Sequence, residues 1–189
     1  MRYAPEHNDA TRERILSAAS RLFLEQGIAA VGLAKIMAEA GLTVGTFYTH
    51  FQSKEALVRE ALLRALDARH GHLEQALPAA DLEVVARAYL STEHRDAAGT
   101  GCPVASLASE VARHPRATRS AFASHNGATL DLLAEWLSSR RADVVTRADA
   151  AALLGLLAGT LQLARATPDR AESDAILEAG VRAALRLAT

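Results

Sequence analysis

Residues 41–55 read Gly-Leu-Thr-Val-Gly-Thr-Phe-Tyr-Thr-His-Phe-Gln-Ser-Lys-Glu and gather hydroxyls, a phenol, an imidazole and an ammonium into fifteen positions. Such groups donate hydrogen bonds to phosphate oxygens, and threonine methyls can touch the methyl of thymine. Gly41 suits a left-handed exit from one helix, and Thr43 can cap the next. At i, i+3, i+7 spacing Val44, Phe47 and Phe51 share a face that can be buried. The other side presents Gly45, Thr46 and Thr49, flanked by Tyr48 and His50. Ser53, Lys54 and Glu55 then supply a cap, a cation and an early carboxylate for a following helix. A two-turn helix showing small hydroxyls and a bare glycine suits close approach to another surface. The segment reads as a helix-turn-helix whose second helix enters a DNA groove.

The other reactive group is Cys102 in Gly-Thr-Gly-Cys-Pro-Val at 99–104. It stands at a helix start, where the positive dipole end favours a thiolate, and His94 and His114 are near in sequence. The alternative is a small buried hydrophobe. Enzymatic chemistry finds no support. His70 and His72 diverge on one helix, and no histidine pair sits at i, i+4 with a third ligand, so no metal site is expected. There is no nucleophile elbow and no glycine-rich phosphate loop. No cofactor is expected.

The elements that must position these residues are helices. The 189 residues are 50% hydrophobic, dominated by Ala and Leu, without strand-like alternation. A net charge of −1 does not advertise nucleic acid, so basic groups must cluster locally. One cysteine fits a reducing compartment. The N-terminus lacks a signal-peptide core, and the longest apolar run, 150–161, is too short to span a bilayer. A cytoplasmic location without membrane contact is expected.

After an arm of about eight disordered residues, helices are predicted over 9–26, 33–40, 44–51 and 53–77, the last closed by Pro78. Five more follow over 82–95, 104–113, 117–140, 147–166 and 173–188. The expected architecture is all-α: a three-helix head in residues 1–52, then about six helices in 53–189 for ligand sensing and dimerisation, with helix 53–77 connecting the two.

The first sixty residues resemble the DNA-binding domain of the TetR family of transcriptional regulators. The carriers are Thr-Arg-Glu-Arg-Ile-Leu-Ser-Ala-Ala at 11–19, Phe23, Gln26-Gly27, Ile-Met-Ala-Glu-Ala-Gly-Leu-Thr at 36–43, Gly-Thr-Phe-Tyr-Thr-His-Phe at 45–51 and Ser-Lys-Glu-Ala-Leu at 53–57. The resemblance implies a homodimeric repressor on a palindromic operator in double-stranded DNA, released by an unidentified small-molecule inducer. It places Tyr48, His50 and Lys54 on phosphates, and Thr43, Val44, Gly45 and Thr46 on base edges or nearby phosphates. Thr49 shares their surface, and Lys35 on helix two is either a phosphate ligand or a solvated charge. Two positions depart from the family pattern. Gly32 stands where a capping threonine is common, and Val44 where a polar base reader is common.

The family dimerises through its last two helices. Ala151, Gly155, Ala158 and Gly159 would let backbones approach closely there. The residues expected at that interface are Leu153, Gly155, Leu156, Gly159, Leu163, Ile176, Val181 and Leu185. Two heads roughly 34 Å apart would then read successive major grooves. Candidate ligand-lining residues are Tyr89, Cys102, Leu107, Phe122, Leu133 and Trp136, with Leu130 beside them. The Gly-Cys-Pro lead-in also resembles members that answer electrophiles or oxidants through a cysteine, an alternative reading for this chain. A helical interaction module without DNA binding is the remaining alternative.

Overall fold

Ile15, Leu16, Ala19, Leu22 and Phe23 recur at helical spacing and are all buried along α1 (Pro5–Gln26). The helix stops because Gly27 turns to φ +83°, its N–H bonding back to the Phe23 carbonyl at 2.8 Å. The computed structural model describes the backbone of residues 5–140 and 143–187, and side chains from residue 8 onward. Residues 5–8 are therefore helical where an arm was expected, and the rest of that arm, 1–4, lies outside the described residues.

Two short helices follow, α2 (Leu33–Glu39) and α3 (Val44–His50). Gly41 at φ +66° makes the turn between them, with its N–H on Ala38 O and that of Leu42 on Met37 O. An Arg14 guanidinium N–H donates to the Ala40 carbonyl and clamps the same turn. α4 (Lys54–Ala76) opens where Ser53 Oγ accepts the Ala56 N–H at 3.1 Å. The remaining helices are α5 (Leu82–Tyr89), α6 (Thr92–Asp96), α7 (Pro103–Val111), α8 (Arg116–Ser138), α9 (Arg147–Ala166) and α10 (Arg170–Leu187). Among the described residues there is no strand, and no helix is long and apolar enough to cross a membrane.

The single helix expected over 82–95 is two. The backbone departs from helical values at Leu90, and Ser91 starts α6 by accepting the His94 N–H at 3.1 Å. The described body thus has seven α-helices counting α4, where about six were expected. α9 begins where expected because Thr146 and Asp149 form a reciprocal capping box.

Two apolar cores result. The first joins α1, α2, α3 and α4 as far as Leu66, and it takes Leu107 and Val111 from α7. The second joins Leu73, Leu77, α5, Cys102, the end of α8, α9 and α10. A cut at residue 52 therefore divides helices but not cores, since α4 and α7 serve both. Beside the second core, Arg95 is 7% exposed and reaches Asp96, Asp174 and Ser173, which ties α6 to α10. Hydrogen bonds from Arg95, then from Arg170, hold the Asp96 carboxyl well below the usual carboxylate range.

Candidate nucleic-acid interface

α3 has seven residues, and Phe47 anchors it. Its ring is 0% exposed, stacks on Phe51 with centroids 5.6 Å apart, and meets Tyr48 edge-on at 5.1 Å. Val44 does not join that face as the spacing predicted. It is 43% exposed, because the first residue of α3 lies at the helix's open end, past the aromatic pair. Tyr48 is 68% exposed, Thr43, Gly45 and Thr49 are exposed, and Thr46 and His50 are half-buried.

Thr43 holds the capping position of α3 but makes no bond to a backbone amide. Its hydroxyl lies 3.2 Å from that of Thr46. Within such a pair one proton is shared and one stays free for an outside acceptor. Thr49 Oγ1 is committed differently, donating to the Thr46 carbonyl at 2.6 Å. His50 Nδ1 is buried and has no hydrogen-bond partner among the described residues. Gly32 caps α2 without a side-chain bond, so the first amides of α2 and α3 both lack side-chain acceptors.

The cations divide into two groups. Arg12 pairs with Glu60, Arg21 with Glu25 and Glu39, and Arg64 with Glu13. Lys35 instead reaches Gln26 Oε1 at 2.5 Å, and Lys54 reaches the Ile28 carbonyl at 3.4 Å. Neither lysine meets a carboxylate among the described residues, so both keep their charge for an outside partner. Sequence reading missed what holds the turn between α1 and α2. Glu110 of α7 accepts the N–H groups of Ile28 at 3.2 Å and Ala29 at 2.8 Å. A Cβ on Gly27 would stand 2.4 Å from Glu110 Oε1, so this glycine serves both conformation and contact. Glu55 at the start of α4 is likewise tied to the body, accepting from Thr118 Oγ1 at 2.6 Å and pairing with His114 at 3.0 Å. Partners 63 and 82 residues away in the chain leave no local signal.

Of the expected ligand-lining residues, Tyr89, Cys102, Leu133 and Trp136 line one apolar cavity of about 30 Å³ in the second core. Leu107 and Phe122 do not. Leu107 is buried in the first core and Phe122 packs against it, because α7 and early α8 face α1 and α4. Leu130 packs on the second core. Cys102 is 2% exposed at the capping position of α7. His94 is its neighbour, as the sequence suggested: Nε2 accepts the Cys102 N–H at 3.0 Å, while Nδ1 donates to Tyr89 O at 2.6 Å. His114 is not, being engaged by Glu55.

That pairing requires a neutral His94, since a protonated Nε2 would point its proton at the Cys102 N–H. Burial, with Arg69 and Arg165 nearby, pushes the imidazole below its ordinary 6.5. The unfolded chain thus binds a proton there more readily than the folded one. His94's contribution to stability is full above pH 6.5 and is lost as the pH falls toward the folded value. Thermal melts between pH 7.5 and 5 should show a falling midpoint, with the slope reduced in His94→Asn. An unchanged slope would contradict the assignment.

Of the residues expected at a dimer interface, Leu153 and Val181 are packed inside the second core and offer no surface to another chain. Gly155 and Leu163 are exposed, Leu163 to 63%, while Leu156, Gly159, Ile176 and Leu185 are half-buried.

A family model for bacterial regulatory proteins of the tetR family matches residues 15–61, the span from α1 through the first third of α4. The chain is 41% identical over 81 residues to the HTH-type transcriptional regulator TtgR of Pseudomonas putida, a match covering 43% of this chain and 38% of that one. The chain therefore spans well under half the length of that relative. Among solved structures, the TetR-family regulator SCO4454 of Streptomyces coelicolor is 28% identical, with a TM-score of 0.69 and 94% and 95% of the two chains covered. The reduced form of Escherichia coli NemR shares the fold at 24% identity and TM-score 0.75, with 93% and 95% covered. Through its helix-turn-helix the chain matches the tetR family of bacterial regulatory proteins, and through the helices that follow it is similar in architecture to TetR-family transcriptional regulators.

Proposed function

We propose that this regulator is a homodimeric repressor that sits on a palindromic operator through two copies of α3 and leaves it when a small molecule enters the body. Residues 1–52 act as the DNA-binding head and 53–189 as the sensing and dimerising body. One observation carries the reading: α3 is pinned from beneath by Phe47 while Thr43, Val44, Gly45, Tyr48 and Thr49 stand open. Tyr48 and Lys54 hold phosphates, joined by His50 and by Lys35 from α2. The Thr43–Thr46 hydroxyl pair and the Val44 methyls face base edges.

Release would run through α7 as well as α4. α7 begins at the cavity with Cys102 and Pro103, and ends with Val111 in the first core and Glu110 on the α1–α2 turn. A ligand that displaces its start displaces the head. The ligand must favour the released state by its differential affinity, typically about 1–3 kcal/mol of coupling.

Mobility shift on the DNA upstream of the protein's own gene tests the reading. Affinity should fall steeply with salt, as phosphate contacts release counterions. Tyr48→Ala and Lys54→Ala should weaken binding to every sequence, whereas Thr46→Ala should also relax base preference. Equal, sequence-blind losses for all three would refute these roles, and salt-insensitive binding would refute the interface.

A second reading, a thiol response through Cys102, is favoured by the sulfur's place on the cavity wall beside Tyr89 and His94. Treatment with N-ethylmaleimide should then release wild type and spare Cys102→Ser. Identical behaviour of the two ends this reading.

A further inference from the structure

Arg69, Leu73, Val85 and Tyr89 line the inner cavity on one side and, on the other, a groove of about 420 Å³ between α4 and α5. The Arg69 guanidinium lies over the Tyr89 ring, 5.4 Å from its centroid, and makes no ion pair among the described residues. Tyr89 is 4% exposed, and its buried hydroxyl has the weakly bonding Cys102 thiol beside it but no nitrogen or oxygen partner among the described residues. A buried phenol left unsatisfied costs about 1–3 kcal/mol unless something supplies an acceptor. A second guanidinium beside this cluster, Arg165, likewise meets no carboxylate among the described residues. Its N–H groups go to the carbonyls of His94 and Arg95 and the Ser106 hydroxyl. The acidic side chain on the groove is Glu93, whose carboxylate is turned back onto the first turn of α6 and is held below its ordinary range by bonds to its own N–H and to Ser91. The wall between groove and cavity thus carries an uncompensated positive charge and a donor met only weakly, by sulfur. Beyond it lie Leu66, Leu133, Leu157 and Trp136.

We infer that the body's ligand is a slim amphiphilic anion whose carboxylate or phenolate enters by the α4–α5 groove, takes the Arg69 guanidinium and the Tyr89 hydroxyl, and lays its apolar tail in the inner cavity. The inference rests on the ligand-released reading and names its chemical class. A carboxylate satisfies both groups at once, because a charge-assisted bond to Arg and an O–H donor from Tyr use separate lone pairs. A cation meets Arg69 with repulsion, and a neutral alcohol meets it without gain. At about 30 Å³ the cavity as it stands holds little more than a water molecule, so its walls must part to admit even an unbranched tail, and bulky ring systems are disfavoured further.

Octanoate, 1-octanol and octylamine share a tail and differ in head group. Titration calorimetry, with emission of Trp136, the chain's single tryptophan, as a second signal, separates them. Octanoate should bind about tenfold tighter than octanol, and octylamine more weakly still. Arg69→Gln should erase the octanoate advantage and leave octanol affinity unchanged, and Arg69→Lys should keep part of it. Tyr89→Phe should weaken octanoate severalfold. Equal affinity for the three heads, binding of none, or an advantage that survives Arg69→Gln overturns the inference. Operator release is scored separately. If octanoate binds through Arg69 yet leaves operator affinity unchanged, the release reading fails and this site stands. If a neutral or cationic compound releases the operator irrespective of Arg69, the reverse holds.

Discussion

Phe47→Ala should cost about 3–5 kcal/mol of stability and abolish operator binding while leaving the second core folded. Phe47 is fully enclosed between Phe51 and the rest of the first core, so its removal leaves a cavity where α3 has its one deep anchor. A helix this short has little stability of its own and depends on tertiary packing. Far-UV circular dichroism should drop only modestly, because α4–α10 stay helical. Hydrogen exchange should quicken through α2 and α3 but not α9. Phe47→Leu, keeping most of the apolar volume, should recover most of the loss. Exchange that quickens uniformly would mean the two cores unfold as one, and undiminished DNA binding would remove α3 from the interface.

Gly155→Gln with Gly159→Gln should split the dimer without harming the protomer. A Cβ at either position meets nothing within 4 Å in the single chain, so the larger side chains find open space. Replacing helix-interior glycine with glutamine also favours the helix by several tenths of a kcal/mol. In a dimer packed along α9, the same side chains would wedge two backbones apart. Light scattering should change from two chains to one with an unchanged or raised melting midpoint. Operator affinity should then fall about 10²-fold or more, since each half-site is held alone. A double variant that stays dimeric would move the interface away from this face of α9, where Leu163 is the exposed apolar side chain.

The helix-turn-helix was legible because its signals are local. A glycine that must turn to positive φ, a serine cap and an aromatic pair one turn apart lie within residues 41–53, and each sits as the spacing implied. Val44 was misplaced because periodicity assigns a face without saying how far the core extends along it. The break between α5 and α6 was written in Ser91-Thr92-Glu93, but apolar spacing alone ran across it. Leu107 and Phe122 were drawn to the cavity by their position on the middle helices. Which core a middle helix faces is decided by topology, which no spacing encodes. Arg69, Glu55 and Glu110 escaped for the same reason, since their meaning comes from what folding brings opposite them.

The bond from Glu110 to the turn after α1 is made to main-chain amides. Every residue but proline has such a group, so the exposed side chain at position 29 can change without touching the bond, whereas Ile28 is also held by its burial in the first core. Replacement of the acid itself, or an imino acid at either position, would sever the bond.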